Sequence, residues 1–92
     1  MNIDINGKVR YISKENKVTS DKANHAFKII VIETLMDSYV AVHVWNEKLD
    51  VLNEIRINDI VELSCRLESH KNKKNPNLWF HKILLKGSDP QL

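Results

Sequence analysis

The side chains able to do acid–base, nucleophilic or metal chemistry are scattered through the 92 residues of this chain. The four histidines and one cysteine show no Cys-x-x-Cys, His-Glu-x-x-His or other metal-ligand spacing. With two glycines in all, the chain has no glycine-rich phosphate loop and no nucleophile elbow. Cys65 alternates with a valine and leucines, which is typical of a buried structural thiol. The sequence therefore predicts a non-enzymatic protein without catalytic residues, metal or cofactor.

A different chemistry is indicated between Tyr39 and Trp45, where aromatic side chains alternate with valines. One face of this segment carries Val40, Val42 and Val44, and the other carries Tyr39, Ala41, His43 and Trp45. If the valines face a core, the aromatic rings point outward. Outward rings on a strand can stack unpaired bases, each stack being worth roughly 1–3 kcal/mol. His43 is a candidate contact for a phosphate or a base.

Two alternatives stay open on this face. The segment after Trp45 has helical spacing, and that helix could bury the Trp45 ring as a cap on the core. Phe27 belongs to a neighbouring segment whose faces are both apolar, so it either shares the aromatic surface or faces the core.

Basic charge is concentrated towards both ends of the sequence. Residues 1–28 have a net charge of +3, residues 29–69 of −5, and residues 70–92 of +4. Two predicted loops, 13–24 and 69–77, hold the lysines of interest, namely Lys14, Lys17 and Lys22 in the first and Lys71, Lys73 and Lys74 in the second. A charged loop is often simply solvated. These loops indicate an anionic ligand if the fold brings both to the same face.

The last apolar segment follows the second lysine loop. Phe80 and Lys82 share one phase of its alternation, and Trp79 shares the other with Ile83 and Leu85. This pattern predicts that Trp79 faces the core and that Phe80 is exposed.

The elements that must position these residues are five strands and one helix. Alternating and β-branched residues predict strands at 3–12, 25–34, 39–45, 60–67 and 78–86. Gly7 interrupts the first strand and indicates a bulge or bend. Leu49, Leu52 and Ile55 lie at helical spacing, with Asn46 as the expected N-cap.

Five strands with a helix between the third and fourth indicate an all-β protein, a five-stranded OB-fold Greek-key barrel. An SH3-like barrel is the rival, although it rarely carries a helix there. We expect one domain over 1–87 and a short tail over 88–92. Ligands of the OB-fold bind the face of strands 2 and 3 and the loops joining strands 1–2 and 4–5, which are the lysine loops here.

The remaining features favour a cytoplasmic protein. One cysteine allows no intrachain disulfide, which suits a reducing compartment. The N-terminus has no basic stretch followed by an apolar run, so we expect no signal peptide. No segment approaches the roughly 20 apolar residues that span a bilayer, so we expect no membrane association.

Two runs of the sequence resemble bacterial and phage single-stranded DNA-binding proteins. They are Val42-His-Val-Trp-Asn-Glu-Lys-Leu-Asp50 and Ile57-Asn-Asp-Ile-Val-Glu-Leu-Ser-Cys-Arg-Leu-Glu-Ser69. That family shows an apolar strand ending in an aromatic, a Lys-Leu-containing helix, a Gly-Asp-type turn, and a strand ending in Arg-Leu or a similar pair. The chain is similar also to a small family of uncharacterised bacterial OB-fold domains, through Val31-Ile-Glu-Thr34 and Trp79-Phe80. The resemblance covers roughly residues 5–87.

The resemblance implies binding of single-stranded DNA, with Tyr39 and Trp45 matching the aromatics at both ends of the third strand. The turn here is Asn58-Asp59 rather than Gly-Asp. The acidic partner-recruiting tail of the bacterial proteins is not expected, and neither is recruitment of repair or replication enzymes through such a tail. A phage or primosomal-type accessory protein fits better. A homo-oligomer is expected because one small barrel covers few nucleotides.

The predicted nucleic-acid-binding residues are Phe27, Tyr39, His43, Trp45, Phe80, Lys14, Lys17, Lys71, Lys73, Lys74 and Lys82. No small-molecule substrate is expected. One alternative is an OB-fold protein–protein interaction module acting as a phage or replication accessory factor. Another is RNA binding, which stacking and phosphate contacts do not separate from DNA binding.

Overall fold

The structure, a computed structural model, describes residues 1–19, 23–75 and 77–90, the side chains of 88–90 excepted. Lys22 lies outside these ranges, as do residues 91–92 of the predicted tail. The elements in chain order are β1 (Asn2–Ile12), β2 (Asn16–Thr19), β3 (Asn24–Thr34), β4 (Tyr39–Trp45), a 3₁₀ helix (Asn46–Glu54), β5 (Ile60–Lys71) and β6 (Trp79–Pro90).

The long strands close into a barrel. The sheet order is β1-β5-β6-β4-β3-β2, and β1 also pairs with β3, which joins the two sides of the sheet. β4 and β6 run parallel, with His43 opposite Leu84, whereas the other pairs are antiparallel. This is the strand order of an OB-type Greek-key barrel with its helix between β4 and β5, so the predicted fold class is confirmed.

The core confirms the alternation predicted for the strand 39–45. Val42 and Val44 are fully buried beside Ile30 and Ile32 of β3, because inward positions recur at every second residue. Leu52 of the 3₁₀ helix also joins this core cluster. Each such side chain contributes roughly 1.5–3 kcal/mol by leaving water.

Cys65 is buried in the same core, as its apolar neighbours in sequence predicted. Burial and, to a smaller extent, the nearby Asp4 carboxylate raise the pKa of this thiol to about 11. The thiol therefore stays protonated and packs as a small apolar side chain.

Barrel closure depends on Gly7. This residue lies opposite Thr34 of β3 and opposite Val61 of β5, so the backbone of β1 is paired on both sides at this point. A Cβ atom at Gly7 would stand 2.2 Å from the carbonyl oxygen of Glu33. The sequence predicted a bend or bulge here, whereas the structure shows a close approach of two backbones that leaves no room for a side chain.

Several element bounds differ from the prediction. The predicted loop 13–24 contains β2, which pairs with the start of β3. β5 and β6 pair with each other as far as Lys71 and Trp79, beyond the last residue that β1 pairs with on β5. We call this extension, residues 68–75 and 77–82, the arm. At its other end β6 runs to Pro90, so residues 88–90 of the predicted tail are paired with β5.

The helix also differs, since it is a 3₁₀ helix whose N-cap is Trp45. Asn46 is not the cap: its φ of 50° is left-handed, a conformation that asparagine tolerates better than most residues. No helix in the described ranges is long and apolar enough to cross a membrane.

We predict that Gly7→Ala lowers the free energy of unfolding by about 3 kcal/mol or more, because the new methyl group collides with backbone rather than with a movable side chain. Urea denaturation followed by circular dichroism measures the change. Gly87→Ala is the matched control, since no described atom other than those of Gly87 and its two chain neighbours lies within 4 Å of the Cβ position there. The control should stay within about 1 kcal/mol of the parent. Equal stability of both variants would contradict this role of Gly7.

Candidate nucleic-acid interface

The outer face of β3 and β4 is built from cross-strand pairs. Opposite each other are Phe27 and Trp45, Ile29 and His43, Val31 and Ala41, and Glu33 and Tyr39. Residues opposite each other share a face of the sheet, and the intervening Ile30 and Ile32 are fully buried. Phe27 therefore lies on the outward face with Trp45, which decides the alternative left open by the sequence.

Four rings on this face form what we call the aromatic cluster, namely His25, Phe27, His43 and Trp45. The Phe27 ring stacks on Trp45 at a centroid distance of 4.5 Å and on His43 at 6.0 Å. His25 meets Trp45 edge-on at 6.3 Å. All four residues are partly buried, and Leu52 and Ile55 rather than Trp45 pack against the barrel core. The cluster thus leaves ring surface available at the outside of the barrel.

Asn46 holds this cluster together at the point where β4 ends. Its side-chain oxygen accepts a hydrogen bond from the backbone N–H of Ala26 at 3.1 Å. Its side-chain nitrogen lies 3.1 Å from Nδ1 of His25. Because the left-handed backbone turns Asn46 back towards β3, one residue ties the start of β3 to the end of β4.

Lys82 of β6 brings charge to the edge of the cluster. Its Nζ atom lies 5.6 Å from the centroid of the Trp45 ring, within cation–π distance. Beside it opens a cleft of about 440 Å³ between the start of the 3₁₀ helix and the outer face of β5 and β6. Its lining includes Trp45, Lys48, Arg66, Glu68, His70 and Lys82.

Glu68 contacts both Arg66 and His70 on the β5 side of this cleft. Its carboxylate accepts a hydrogen bond from Nη2 of Arg66 at 2.6 Å, and its other oxygen lies 3.3 Å from Nε2 of His70. These pairs are solvent-exposed and contribute little to stability, but they restrict where the Arg66 guanidinium lies.

His43 carries no charge at neutral pH. Burial lowers its pKa below the usual 6.5, and the Lys82 ammonium lowers it further. Its Nδ1 atom is buried and has no hydrogen-bond partner among the described residues. The predicted phosphate contact therefore cannot rest on an imidazolium at neutral pH, and the ring serves the cluster as an apolar surface.

The two tyrosines lie towards the other end of the same face. Tyr39 is 65% exposed, and six residue steps of β4 place it about 20 Å from Trp45. Tyr11 is opposite Val31 and 55% exposed. Sequence reasoning missed Tyr11, because it continues the alternation of Val9, and the bulge between them that turns it outward has no local sequence signal.

The arm exposes both of its aromatic residues. Phe80 is 57% exposed as predicted, and it shares the outward phase of Lys82. Trp79 is also 57% exposed, so its predicted place in the core is wrong. Its phase does match that of the buried Leu85, but the arm carries it past the end of the core.

The described lysines of the two predicted loops form two groups, one at and before β2 and one at and after the end of β5. Lys17 belongs to β2 rather than a loop, and it lines a shallow pocket together with His25 and Asn46. Lys14 is exposed between β1 and β2. Lys71 ends β5 opposite Trp79 and is thus a strand residue. Lys73 and Lys74 are exposed in the turn that follows β5.

Two asparagines shape that turn. The side-chain oxygen of Asn72 accepts hydrogen bonds from the backbone N–H groups of Lys74 and Asn75, at 2.8 and 3.2 Å. Asn75 does the same for Asn77 at 3.1 Å. Such side-chain turns explain why this polar segment reverses the chain without glycine.

The structure therefore brings Phe27, His43, Trp45 and Lys82 into contact, with Lys17 beside them and Phe80 on the same face. Tyr39 lies apart at the other end of β4. Lys71 lies at the end of β5, and Lys73 and Lys74 lie beyond it.

A family model described as a domain of unknown function, DUF3127, matches residues 4–85. Neither curated proteins nor solved structures gave a match.

The lowered pKa of His43 predicts a pH dependence of stability. As pH falls below 6.5, the unfolded chain takes up a proton at His43 before the folded chain does, so the free energy of unfolding decreases. His43→Gln should weaken this decrease between about pH 7.5 and about pH 5.5 in urea denaturation. Lys82→Gln should weaken it to a smaller extent, because only the second cause is removed. Parallel stability curves for all three proteins would contradict the assignment.

Proposed function

We propose that this chain, which belongs to the DUF3127 family, is a non-enzymatic, sequence-tolerant single-stranded DNA-binding protein. The observation that carries the proposal is the stack of Phe27 on Trp45, with Lys82 over the tryptophan ring, on the outward face of an OB-type barrel. That face, formed by the second and third long strands, is where this fold binds oligonucleotides.

The cluster suits unpaired bases better than a duplex. A ring stacked at 4.5 Å on its neighbour is already held in one orientation, so little side-chain entropy is lost when a base stacks on it. Stacking accepts every base, since each has a π-face, which explains sequence tolerance. Lys82 and Lys17 flank the cluster and supply positive charge where the phosphates of a stacked nucleotide would pass.

The more distant residues extend this interface under the proposal. Tyr39 and Tyr11 offer further rings along the face, and Phe80 offers one on the arm. Lys14, Lys71, Lys73 and Lys74 add general attraction for a polyanion. Assembly into a homo-oligomer would lengthen the bound segment, and a cytoplasmic location would keep Cys65 reduced.

A protein-interaction module is the second candidate, and a separate surface favours it. Leu35 and Met36, in the turn between β3 and β4, are 91% and 85% exposed. Leu35 lines a cleft of about 550 Å³ together with Ile60, which is 53% exposed. Exposed apolar residues that gather around one cleft are typical of protein-binding sites. Under this reading Leu35→Ser abolishes co-purification of a partner protein.

We predict that oligo-dT quenches the fluorescence of Trp45, because a base stacks on its ring. The chain has two tryptophans, so the Trp79→Phe background isolates the signal. In the same background Trp45→Leu, followed by anisotropy of labelled oligo-dT, should weaken binding about 5- to 150-fold, which corresponds to one lost stack. Leu35→Ser is the matched control and should bind like the parent.

The salt dependence of oligo-dT affinity distinguishes single-stranded DNA binding from the protein-interaction module. Affinity should fall steeply between low salt and about 0.2 M salt, because phosphate contacts release counterions. Oligo-dT that fails to bind at low salt, or that binds independently of salt, would overturn single-stranded DNA binding. Tighter binding of oligo-rU than oligo-dT would reassign the ligand to RNA.

A further inference from the structure

We propose that the bound strand leaves the aromatic cluster across the outer face of β6 and β5, with its phosphates on Lys48, Arg66 and Lys86. This inference rests on the proposed function and adds a path and three residues to it. None of the three belongs to the lysine loops that the sequence singled out.

The first observation is a continuous groove. The cleft beside Trp45 adjoins a second one of about 290 Å³, lined by Lys48, Arg66, Leu84, Leu85 and Lys86. Four of these five residues, all but Lys86, also line the first cleft. The two clefts therefore form one depression, the basic groove, which runs from Trp45 to Lys86 with Leu84 in its floor.

The second observation is its charge. Lys48, Arg66, Lys82 and Lys86 line the basic groove, against the two carboxylates of Glu47 and Glu68. The cations come from three elements: the 3₁₀ helix, β5 and β6. Their convergence is thus a product of the fold, and it produces an excess of positive charge beside the ring that starts the groove.

The third observation concerns how two of these cations are held. Glu68 fixes one nitrogen of the Arg66 guanidinium at 2.6 Å, which leaves the other N–H donors of that group for a second acceptor. The Nζ atom of Lys86 donates to the side-chain oxygen of Asn2 at 3.2 Å. Both cations are therefore positioned by polar contacts while their side chains remain accessible in the groove.

Lys86 owes its place to a bulge. Ser64 is opposite Gly87 and Cys65 is opposite Leu85, so Lys86 is the extra residue of β6 and has no opposite residue on β5. A bulge changes the direction of a side chain locally, and here the extra residue is a cation beside Arg66.

Phosphodiester groups match these features better than a small anion does. The cations are spread along an open depression rather than gathered around one point, and an aromatic ring stands at one end. A chain of phosphates with bases on one side fits that arrangement, since backbone charges follow the groove while a base stacks on Trp45.

The test measures oligo-dT affinity against salt for Lys48→Gln/Lys86→Gln. Each phosphate contact on a single strand contributes a slope of about 0.7 in log K against log salt, so the double variant should lose about 1.4 from the slope. If the two lines meet at about 1 M salt, affinity falls about 25-fold at about 0.1 M salt. Quenching of Trp45 at saturation should persist, because the stack is untouched.

Two controls make the result specific. Lys8→Gln changes the charge at the far cleft beside Leu35 and should leave the affinity nearly unchanged. Asn2→Ala removes the hydrogen bond that positions Lys86 but keeps the charge, so the salt slope should stay near that of the parent and the affinity should fall far less than in the double variant. Thermal unfolding of each variant shows whether it is folded.

The outcomes are distinguishable. If wild-type protein does not bind oligo-dT, the proposed function fails and this inference fails with it. If wild-type protein binds but the double variant keeps its slope and affinity, the basic groove alone is overturned. An equal loss in Lys8→Gln would also overturn it, since general charge would then explain the effect. Tighter binding of poly-glutamate than of oligo-dT, dependent on Lys48 and Lys86, would reassign the groove to an acidic protein segment.

Discussion

The double pairing of Gly7 is the contact on which the rest of the structure depends. At this residue β1 is bonded to β3 on one side and to β5 on the other, so a sheet that would otherwise have two long free edges becomes a barrel. Closure gives the sheet an inner and an outer face. The inner face then determines which alternate side chains of every long strand point into the core. The valines of β4 must point inward because only there can they be covered.

Because the valines of β4 point inward, the alternate residues of that strand must point towards solvent. The register of β3 against β4 sets Phe27 opposite Trp45, and the left-handed Asn46 holds that register at its end by bonding back to Ala26. A shift of one residue would move Phe27 to the core and a core isoleucine to the surface. The aromatic cluster is therefore a consequence of barrel closure and strand register, and it needs no special loop.

How much of this could be predicted from the sequence depended on how local each signal was. The alternation from Tyr39 to Trp45 is self-contained, and its faces were predicted correctly. The phase of Phe27 was not predictable, because Ile29 to Ile32 are apolar on both faces and only the register with β4 decides it. Tyr11 was missed because a bulge, set by pairing with β3, interrupts its alternation.

The site residues furthest from prediction depend on tertiary structure. Trp79 has the phase of a core residue, but the length of the arm takes it beyond the core. Lys48 and Arg66 lie in the middle of the sequence, where the net charge is negative, so summed charge gives no indication of a basic site there. Only the packing of the 3₁₀ helix against β6 and the pairing of β5 with β6 set them beside Lys86. Charge summed along a sequence therefore describes this surface poorly.

Lys82 shows how the interface separates charge from aromatic surface. Its ammonium lies 5.6 Å from the centroid of the Trp45 ring, and it adds to burial, the larger cause, in lowering the pKa of His43. The positive charge consequently stays at the rim of the cluster, where water and salt screen it, and the centre remains neutral. A protonated His43 would place a partly buried charge beside Phe27, and the loss of its hydration would cost free energy. The same lysine therefore adds to burial in keeping His43 neutral, and it lies where the basic groove begins.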